Sequence, residues 1–255
     1  MLKATSFFFS NLIIVFIVYA MMNFNFSSKP TENVDRSHRP EQQQNHPPVV
    51  KIMTPKNNSM YEPNAQVPYE IRVSDLEDGE SKYQEINPKE VFLEIKYITD
   101  TSGLAELKQK SRNDPPGIAA IKTSNCMNCH AFKSKLIGPS FFEINKRYPH
   151  IKANTDTLAK HIREGSTGVW GNIKMPSNKE LTSSQAQDIV DWIFKNAADP
   201  NLNYYAGTEG AFRPTPPPAS QKGVFILTAS YTDHGLKNDR NQSLKGQDVI
   251  TIRQK

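Results

Sequence analysis

At 255 residues, the chain is long enough for one large domain, or for two ordinary domains with linkers. Its charged fraction of 22% and aromatic fraction of 9% are those of a globular protein rather than a disordered one. The net charge of +5 is modest, and no basic run with interleaved aromatic residues occurs, which argues against nucleic-acid binding. Only two cysteines are present, which excludes the disulfide framework of a small secreted scaffold.

The N-terminal pattern is that of an export signal. Lys3 precedes an apolar run over residues 7–26, which has the length of a signal peptide and is also just long enough to span a bilayer. We therefore expect residues 1–26 to be a signal peptide or an N-terminal membrane anchor. Either one places the rest of the chain in the periplasm or facing outward, and an anchor would hold it to the inner membrane. The polar, proline-bearing residues 27–48 are expected to form a flexible linker.

A period-two alternation of apolar and polar residues begins at Val49. It recurs over residues 49–53, 69–73 and 91–97, and so predicts three strands with one solvated face within residues 49–110.

An acidic turn follows the second of these strands. Asp75, Glu77, Asp78 and Glu80 lie within it. Such a cluster can hold calcium or can be a solvated β-turn, and its spacing does not match a known calcium loop. The sequence leaves both alternatives open.

The pattern changes to helical between residues 112 and 200, which contain twelve lysines and arginines against eight acidic residues, a net charge of +4. Prolines bound a helical segment at 140–148, and Asn154 can cap a helix over 155–164. A capping box that starts at Thr182 predicts the last helix, whose apolar residues recur at helical spacing.

The alternating pattern returns near the C-terminus. Residues 201–218 are rich in proline and are expected to be a second linker, after which residues 219–255 contain two predicted strands. Neither group of strands buries enough surface to be stable alone. We therefore expect one antiparallel β-sandwich, split between 49–110 and 219–255, with the helical domain inserted between its halves.

Cys126, Cys129 and His130 form the pattern Cys-x-x-Cys-His, which is typical of covalent haem c attachment. Two thiols three positions apart reach the two vinyl groups of one porphyrin edge, and the next histidine can ligate the iron. A thioredoxin-like site would be preceded by a strand in a βαβ unit, and here a helical stretch precedes it. A structural zinc site needs two further ligands, and no second cysteine pair exists.

Met175 is the best candidate for a sixth ligand of the iron. It lies 45 residues after His130, in a glycine-rich segment between two predicted helices. Methionine and histidine together fill both axial positions, which suits electron transfer. The alternatives are that Met175 is a core residue, or that His150 or His161 completes a bis-histidine haem.

Residues 115–197 resemble the short bacterial class-I mono-haem cytochromes c. The resemblance rests on the haem motif, Ile137-Gly138-Pro139, Gly168-Val169-Trp170-Gly171, Met175-Pro176-Ser177-Asn178 and the final helix with Trp192. It implies an all-α cytochrome c domain with one covalent haem c.

The resemblance also implies roles for residues around the haem. The Pro139 carbonyl would accept a hydrogen bond from His130, and Asn178 would donate one to the Met175 sulfur. Trp170 would line the cavity and reach a haem propionate. His161 stands where the family often has an arginine that faces a propionate.

The flanking β region resembles the immunoglobulin-like segments that accompany such cytochromes, next to secreted sugar dehydrogenases. The expected fold class is therefore α+β and multidomain, with a class-I cytochrome c domain inserted into a split antiparallel immunoglobulin-like sandwich.

These patterns favour an electron carrier rather than an enzyme. We expect it to accept electrons from a periplasmic dehydrogenase, as the acceptor component of such a system, and to pass them to a terminal oxidase or another cytochrome. Two alternatives are a haem enzyme such as a peroxidase, and a β-sandwich binding protein with an accessory haem. A sixth ligand argues against the peroxidase, and the lack of tryptophan in the β region argues against a sugar-binding platform.

Overall fold

The computed structural model describes residues 44–102, 104–105, 114–214, 223–239 and 242–255. The predicted signal peptide or anchor and most of the first linker lie outside these residues. No helix within the described ranges is both long enough and apolar enough to cross a membrane.

Strands flank a group of helices. Five strands come first: β1 Val49–Thr54, β2 Ser59–Tyr61, β3 Val67–Asp75, β4 Gly79–Glu80 and β5 Phe92–Ile98. Between residues 114 and 200 lie the helices α1 Pro116–Thr123, α2 Phe141–Arg147, α3 Lys152–Glu164 and α4 Ser183–Asn196, with the hairpin β6 Ser166–Gly168 and β7 Gly171–Met175 between α3 and α4. The last strands are β8 Leu202–Ala206, β9 Glu209–Phe212, β10 Val224–Thr232 and β11 Lys245–Gln254.

The strands form two sheets that share one apolar core. In the first sheet β3 pairs with β1, β4 and β9, and the second sheet has the order β2-β11-β10-β5-β8. Residues from both sheets meet in the core, among them Val73, Leu93 and Leu227, which are at most 2% exposed. Because β5 precedes the helices and pairs with β8 and β10, which follow them, the chain leaves the sheet and returns to it. The chain is therefore mixed α and β, while its immunoglobulin-like character stays a prediction.

The strand pairing differs from expectation in two places. The sequence predicts a linker over residues 201–218, but this range contains β8 and β9. The tyrosines of β8 are half-buried and do not follow a clear period-two pattern, so the strand is not visible in the sequence. β2 pairs in parallel with β11, whereas the predicted sandwich is antiparallel throughout.

The ends of the helices follow from local chemistry. The capping box predicted for α4 is confirmed, since the Thr182 hydroxyl accepts from the Gln185 N–H at 3.2 Å and the Gln185 side chain accepts from the Thr182 N–H at 2.9 Å. The cap predicted for α3 is wrong. This helix begins at Lys152, and the Asn154 amide instead donates to the Pro149 carbonyl at 2.8 Å.

α1 and α4 cross at Gly117. A Cβ atom there would lie 2.2 Å from the Asp188 carbonyl oxygen and 2.4 Å from the Trp192 Cβ. Any larger residue would push the helices apart, so the missing side chain permits the crossing.

Aromatic side chains join the helices to the second sheet. Tyr204 on β8 lies 5.2 Å from Phe132 and 5.3 Å from Trp192, measured between ring centroids. Lys133 donates to the Ala197 carbonyl at 2.9 Å and to the Asp199 carbonyl at 2.6 Å, which are just beyond the C-terminal end of α4. The segment that follows the haem motif is thus fixed to β8 and to the residues that lead into it.

A buried ionic cluster makes a second junction. Asp114 accepts from Lys122 of α1 at 2.6 Å and also bonds Lys245 of β11, while Lys122 donates to Ser230 of β10 at 2.8 Å. Burial alone would raise the pKa of Asp114, but the two lysines outweigh it and lower this pKa. Burial lowers the pKa of Lys122. The carboxylate therefore neutralises two ammonium groups that would otherwise be buried without a counter-charge.

Asp114→Ala should lower the free energy of unfolding by about 3 kcal/mol, because removing one partner leaves the charged Lys122 buried and unpaired. Urea denaturation followed by circular dichroism measures the loss. Glu164→Ala is the control, since its pair with Lys160 is exposed and 3.8 Å long. Equal losses in the two variants would contradict the importance of the cluster.

Candidate functional site

The haem motif folds as one tight turn. Cys126–Asn128 form a single 3-10 turn, entered through Asn125 in the left-handed conformation at φ +57°. The Cys126 carbonyl accepts from the N–H groups of Cys129 at 3.2 Å and of His130 at 3.0 Å. Both thiols and the imidazole therefore project from the same short segment, and all three side chains line one cavity.

This cavity has a volume of about 300 Å³ and lies within the helical part of the chain. All eight residues predicted for the site line it, namely Cys126, Cys129, His130, Pro139, His161, Trp170, Met175 and Asn178. Its remaining walls are largely apolar side chains of α2, α3 and α4, including Phe141, Leu158, Ile162, Ile189 and Ile193. Residues that are up to 52 positions apart in the sequence, and that were assigned to one site, thus line one cavity.

The orientation of His130 is fixed by the main chain. Its Nδ1 lies 2.6 Å from the Pro139 carbonyl oxygen, so Nδ1–H donates and the lone pair of Nε2 is left for a metal. Burial lowers the pKa of His130, although the bond to Pro139 opposes this, and favours the neutral, ligating imidazole. Phe141 stacks on the ring at 5.8 Å between centroids.

Gly138 makes this position of the ring possible. A Cβ atom on Gly138 would lie 2.7 Å from Cε1 of His130 and 3.0 Å from Nδ1. The main chain before Pro139 can therefore approach the imidazole closely enough to form the bond only because Gly138 has no side chain.

Met175 is presented by a β-hairpin rather than by the irregular loop that we expected. It ends β7 and pairs with Ser166 of β6, and its half-buried side chain packs on the helical core. Gly165 ends α3 at φ +84°, and a Cβ there would meet the Met175 carbonyl oxygen at 2.8 Å. Gly168 and Gly171, at φ +87° and +109°, form the turn.

Trp170 lies at the mouth of the cavity and is 39% exposed. The Arg147 guanidinium stacks on its ring at 4.5 Å and donates to the Val169 carbonyl at 2.9 Å. Sequence reasoning missed Arg147, because nothing local shows that the end of α2 packs on the hairpin. His161 lines the same cavity and is half-buried.

The role expected for Asn178 differs from its observed contact. We expected its amide to donate to the Met175 sulfur. Instead, the side-chain amide donates to the Ile162 carbonyl at 3.0 Å, and its main-chain N–H donates to the same carbonyl at 3.1 Å. Asn178 therefore joins the segment after Met175 to α3 while still lining the cavity.

The donor set fits haem c. Two free thiols lie in a motif that suits a porphyrin edge, one imidazole has a free Nε2, and a thioether lines the same apolar cavity. Burial raises the pKa of the Cys126 thiol, so it stays protonated near neutral pH. Among the described residues, no group of three or more His, Cys, Asp or Glu side chains is placed to hold a metal ion.

Gly138→Ala should displace the His130 ring and lower the free energy of unfolding of the holoprotein by about 1–3 kcal/mol, because the added methyl group overlaps the imidazole. Urea denaturation followed at the haem absorbance measures it. Leu136→Ala, a neighbouring side chain that is 52% exposed, is the control. A Gly138→Ala protein as stable as the control would show that the ring tolerates the methyl group.

Comparisons with known proteins match the helical part of the chain, which contains this cavity. Residues 113–193 match the family model described as cytochrome c oxidase, cbb3-type, subunit III. Cytochrome c-551 of Azotobacter vinelandii is 42% identical over 77 residues, which are 30% of this chain and 93% of that protein. Cytochrome c-552 of Hydrogenobacter thermophilus is 38% identical over 72 residues, which are 28% of this chain and 72% of that protein.

The crystal structure of Nitrosomonas europaea cytochrome c552 is 35% identical and covers 31% of this chain and 96% of that one, with a TM-score of 0.30. The segment that the family model matches, residues 113–193, contains the haem motif, Pro139 and Met175. Through this segment, the chain belongs to the family of the cytochromes c-551 and c-552.

Proposed function

We propose that this protein is an electron carrier with one covalently attached haem c, and that it is not an enzyme. The observation that supports this most directly is the 2.6 Å bond from His130 to Pro139, which leaves Nε2 of the ring free in a cavity that also contains Met175. Haem c would supply a one-electron iron couple there. The relatives of the chain are named as cytochromes c, which supports the same function.

Each part of the site has its own task in the proposal. Cys126 and Cys129 would hold the porphyrin through two thioether bonds. His130 would provide a nitrogen ligand to the iron, and the Pro139 carbonyl would keep the plane of its ring fixed. The apolar walls exclude water, so little solvent has to reorganise as an electron enters or leaves.

The choice between an electron carrier and a haem enzyme depends on whether Met175 is the sixth ligand of the iron. The β6–β7 hairpin, held against α3 by the close contact at Gly165, presents the thioether to the cavity. With both axial positions occupied by side chains, peroxide or another small substrate would have no open site. This favours electron transfer over the peroxidase alternative.

The redox partner is proposed from the surface around the cavity mouth. Ile137, Trp170 and Ile173 line the cavity and are 39–67% exposed, and Lys174 is exposed beside them. An apolar centre with a lysine at its edge suits transient docking of an acidic redox protein. We propose a periplasmic dehydrogenase as the donor and a terminal oxidase or another cytochrome as the acceptor. The N-terminal pattern supports a periplasmic location, with or without an anchor.

Met175→Ala should abolish the weak red absorption band of the ferric protein and lower the reduction potential, because the thioether ligand stabilises the ferrous state. Optical spectra and protein-film voltammetry of the holoprotein measure both. Met60→Ala, on the sandwich and 59% exposed, should leave both unchanged. Retention of the band in Met175→Ala would show that another group is the sixth ligand.

Lys174→Glu should slow the reduction or oxidation of the holoprotein by small anionic reagents such as the hexacyanoferrates. The expected effect at low salt is on the order of a few-fold, and it should fade as salt screens the charge. Stopped-flow measurements test this, with Lys51→Glu, which changes an exposed side chain of β1, as the control for net charge. Equal slowing in both variants would contradict a docking surface at the cavity mouth.

A further inference from the structure

Three buried polar side chains lie at one end of the β-sandwich. Asn45 precedes β1, Asp75 ends β3, and Asp233 follows β10; they are 5%, 7% and 4% exposed. Asn45 lies in the stretch that the sequence predicts to be a flexible linker, yet it bonds Asp233 through its side chain. Polar groups are buried like this only when something compensates for the lost water.

Two oxygen atoms in this group have no such compensation from the protein. Within the part of the chain that the structure describes, Asn45 Oδ1 and Asp75 Oδ2 are buried and have no hydrogen-bond partner. Each such atom costs roughly 1–3 kcal/mol if nothing binds it. Both oxygens can therefore accept a hydrogen bond or coordinate a cation.

The carboxylates point to the same conclusion. Asp75 accepts the Glu77 and Asp78 N–H groups at 3.0 and 2.7 Å through Oδ1. Burial nevertheless raises its pKa, and the nearby carboxylates of Asp233 and Asp78 raise it further. Among the described residues, no lysine, arginine or histidine forms an ion pair with Asp75 or Asp233. Asp75 and Asp233 are therefore two buried carboxyl groups with no cationic side chain paired to them in the described part of the chain.

The amide of Asn45 is surrounded by oxygen. Its Nδ2 lies 3.0 Å from both carboxylate oxygens of Asp233 and 2.8 Å from the Gln242 carbonyl oxygen, so three acceptors share two hydrogens while Oδ1 has none. The two ends of an asparagine amide are assigned from such contacts. With a cation present, the amide can turn so that Oδ1, rather than Nδ2, faces the Asp233 carboxylate and the Gln242 carbonyl.

We propose that Asn45, Asp75, Asp233 and the Gln242 main-chain carbonyl form a binding site for one calcium ion, completed by water. All of these donors are oxygen atoms on four separate segments, and calcium accepts such irregular sets of six to eight oxygens at about 2.3–2.6 Å. Zinc would favour nitrogen and sulfur ligands. Because only two carboxylates take part, the Asn45 amide oxygen and the Gln242 carbonyl oxygen are also needed as calcium ligands.

The acidic turn contributes one ligand to this site rather than forming a loop of its own. Asp78 accepts from the Tyr231 hydroxyl at 2.7 Å and the His234 N–H at 3.0 Å, while Glu77 lies 2.8 Å from His46. The spacing of the acidic residues in the sequence therefore gives no calcium signature, because the other donors come from distant segments.

Calcium here would stabilise the segment that precedes β1, the first strand of the sandwich. It would join the Asn45 segment to the β10–β11 loop, whose Leu244 N–H donates to Asp233 at 2.8 Å. Lys245 follows directly and bonds Asp114 in the ionic cluster at the helical domain. The site is thus connected to the junction between the two parts of the protein.

Isothermal titration of calcium chloride into EDTA-treated holoprotein tests the proposal. The wild type should bind one Ca²⁺, and the near-isosteric variants Asp75→Asn and Asp233→Asn should each weaken the affinity by on the order of tenfold or more. Glu80→Gln, which changes an exposed carboxylate of the same acidic turn, should bind like the wild type. No binding by the wild type, or unchanged affinity in the two aspartate variants, would overturn the site.

Asn45→Ala is a second test variant that should still fold, because Asn45 lies outside both sheets. Circular dichroism should show a wild-type fold, and calcium should raise its melting temperature less than that of the wild type. An equal rise would overturn the role of Asn45, and tighter binding of Mg²⁺ than of Ca²⁺ would overturn the assignment to calcium. The haem spectrum, recorded in parallel, separates these outcomes from failure of the proposed electron-transfer function.

Discussion

The hydrogen bond from His130 to the Pro139 carbonyl is the constraint on which the site depends. It selects the tautomer of the imidazole, directs Nε2 into the cavity and joins the haem motif to the segment that leads into α2. The bond exists because Gly138 lets the main chain come within contact distance of the ring. The orientation of the His130 ring therefore depends on a residue nine positions away as well as on the haem motif itself.

The helical domain is held to the sandwich by two chemically different contacts. Aromatic packing around Tyr204 is apolar and tolerates small shifts, whereas the cluster of Asp114, Lys122 and Lys245 demands one geometry because its charges are buried. The aromatic contact involves Phe132, two residues after the iron ligand. The two parts of the chain thus meet directly behind the haem motif, and the mouth of the cavity remains accessible to partners.

The sequence predicts those features that local chemistry determines. The haem motif and the capping box at Thr182 are short patterns with one physical interpretation, and the alternation at Ile71 marks a strand with one buried face. β8 and the position of Arg147 could not be predicted in this way, because each depends on contacts with a distant segment. β8 pairs with β5, and Arg147 packs on Trp170. The predicted cap at Asn154 is wrong because the helix begins at Lys152, three residues before the predicted start, and has no side-chain cap there.

The close crossing of α1 and α4 at Gly117 has a consequence for how the protein folds. These helices enclose all of the residues that line the haem cavity from Ser124 to Asn178, so their contact closes a loop of about 60 residues and is formed at a considerable cost in chain entropy. β5 precedes this loop in the chain and β8 follows it, and the two strands are neighbours in one sheet. Pairing of β5 with β8 therefore lowers the entropy cost of closing the loop, so that the strands of the sandwich assist the formation of the helical part.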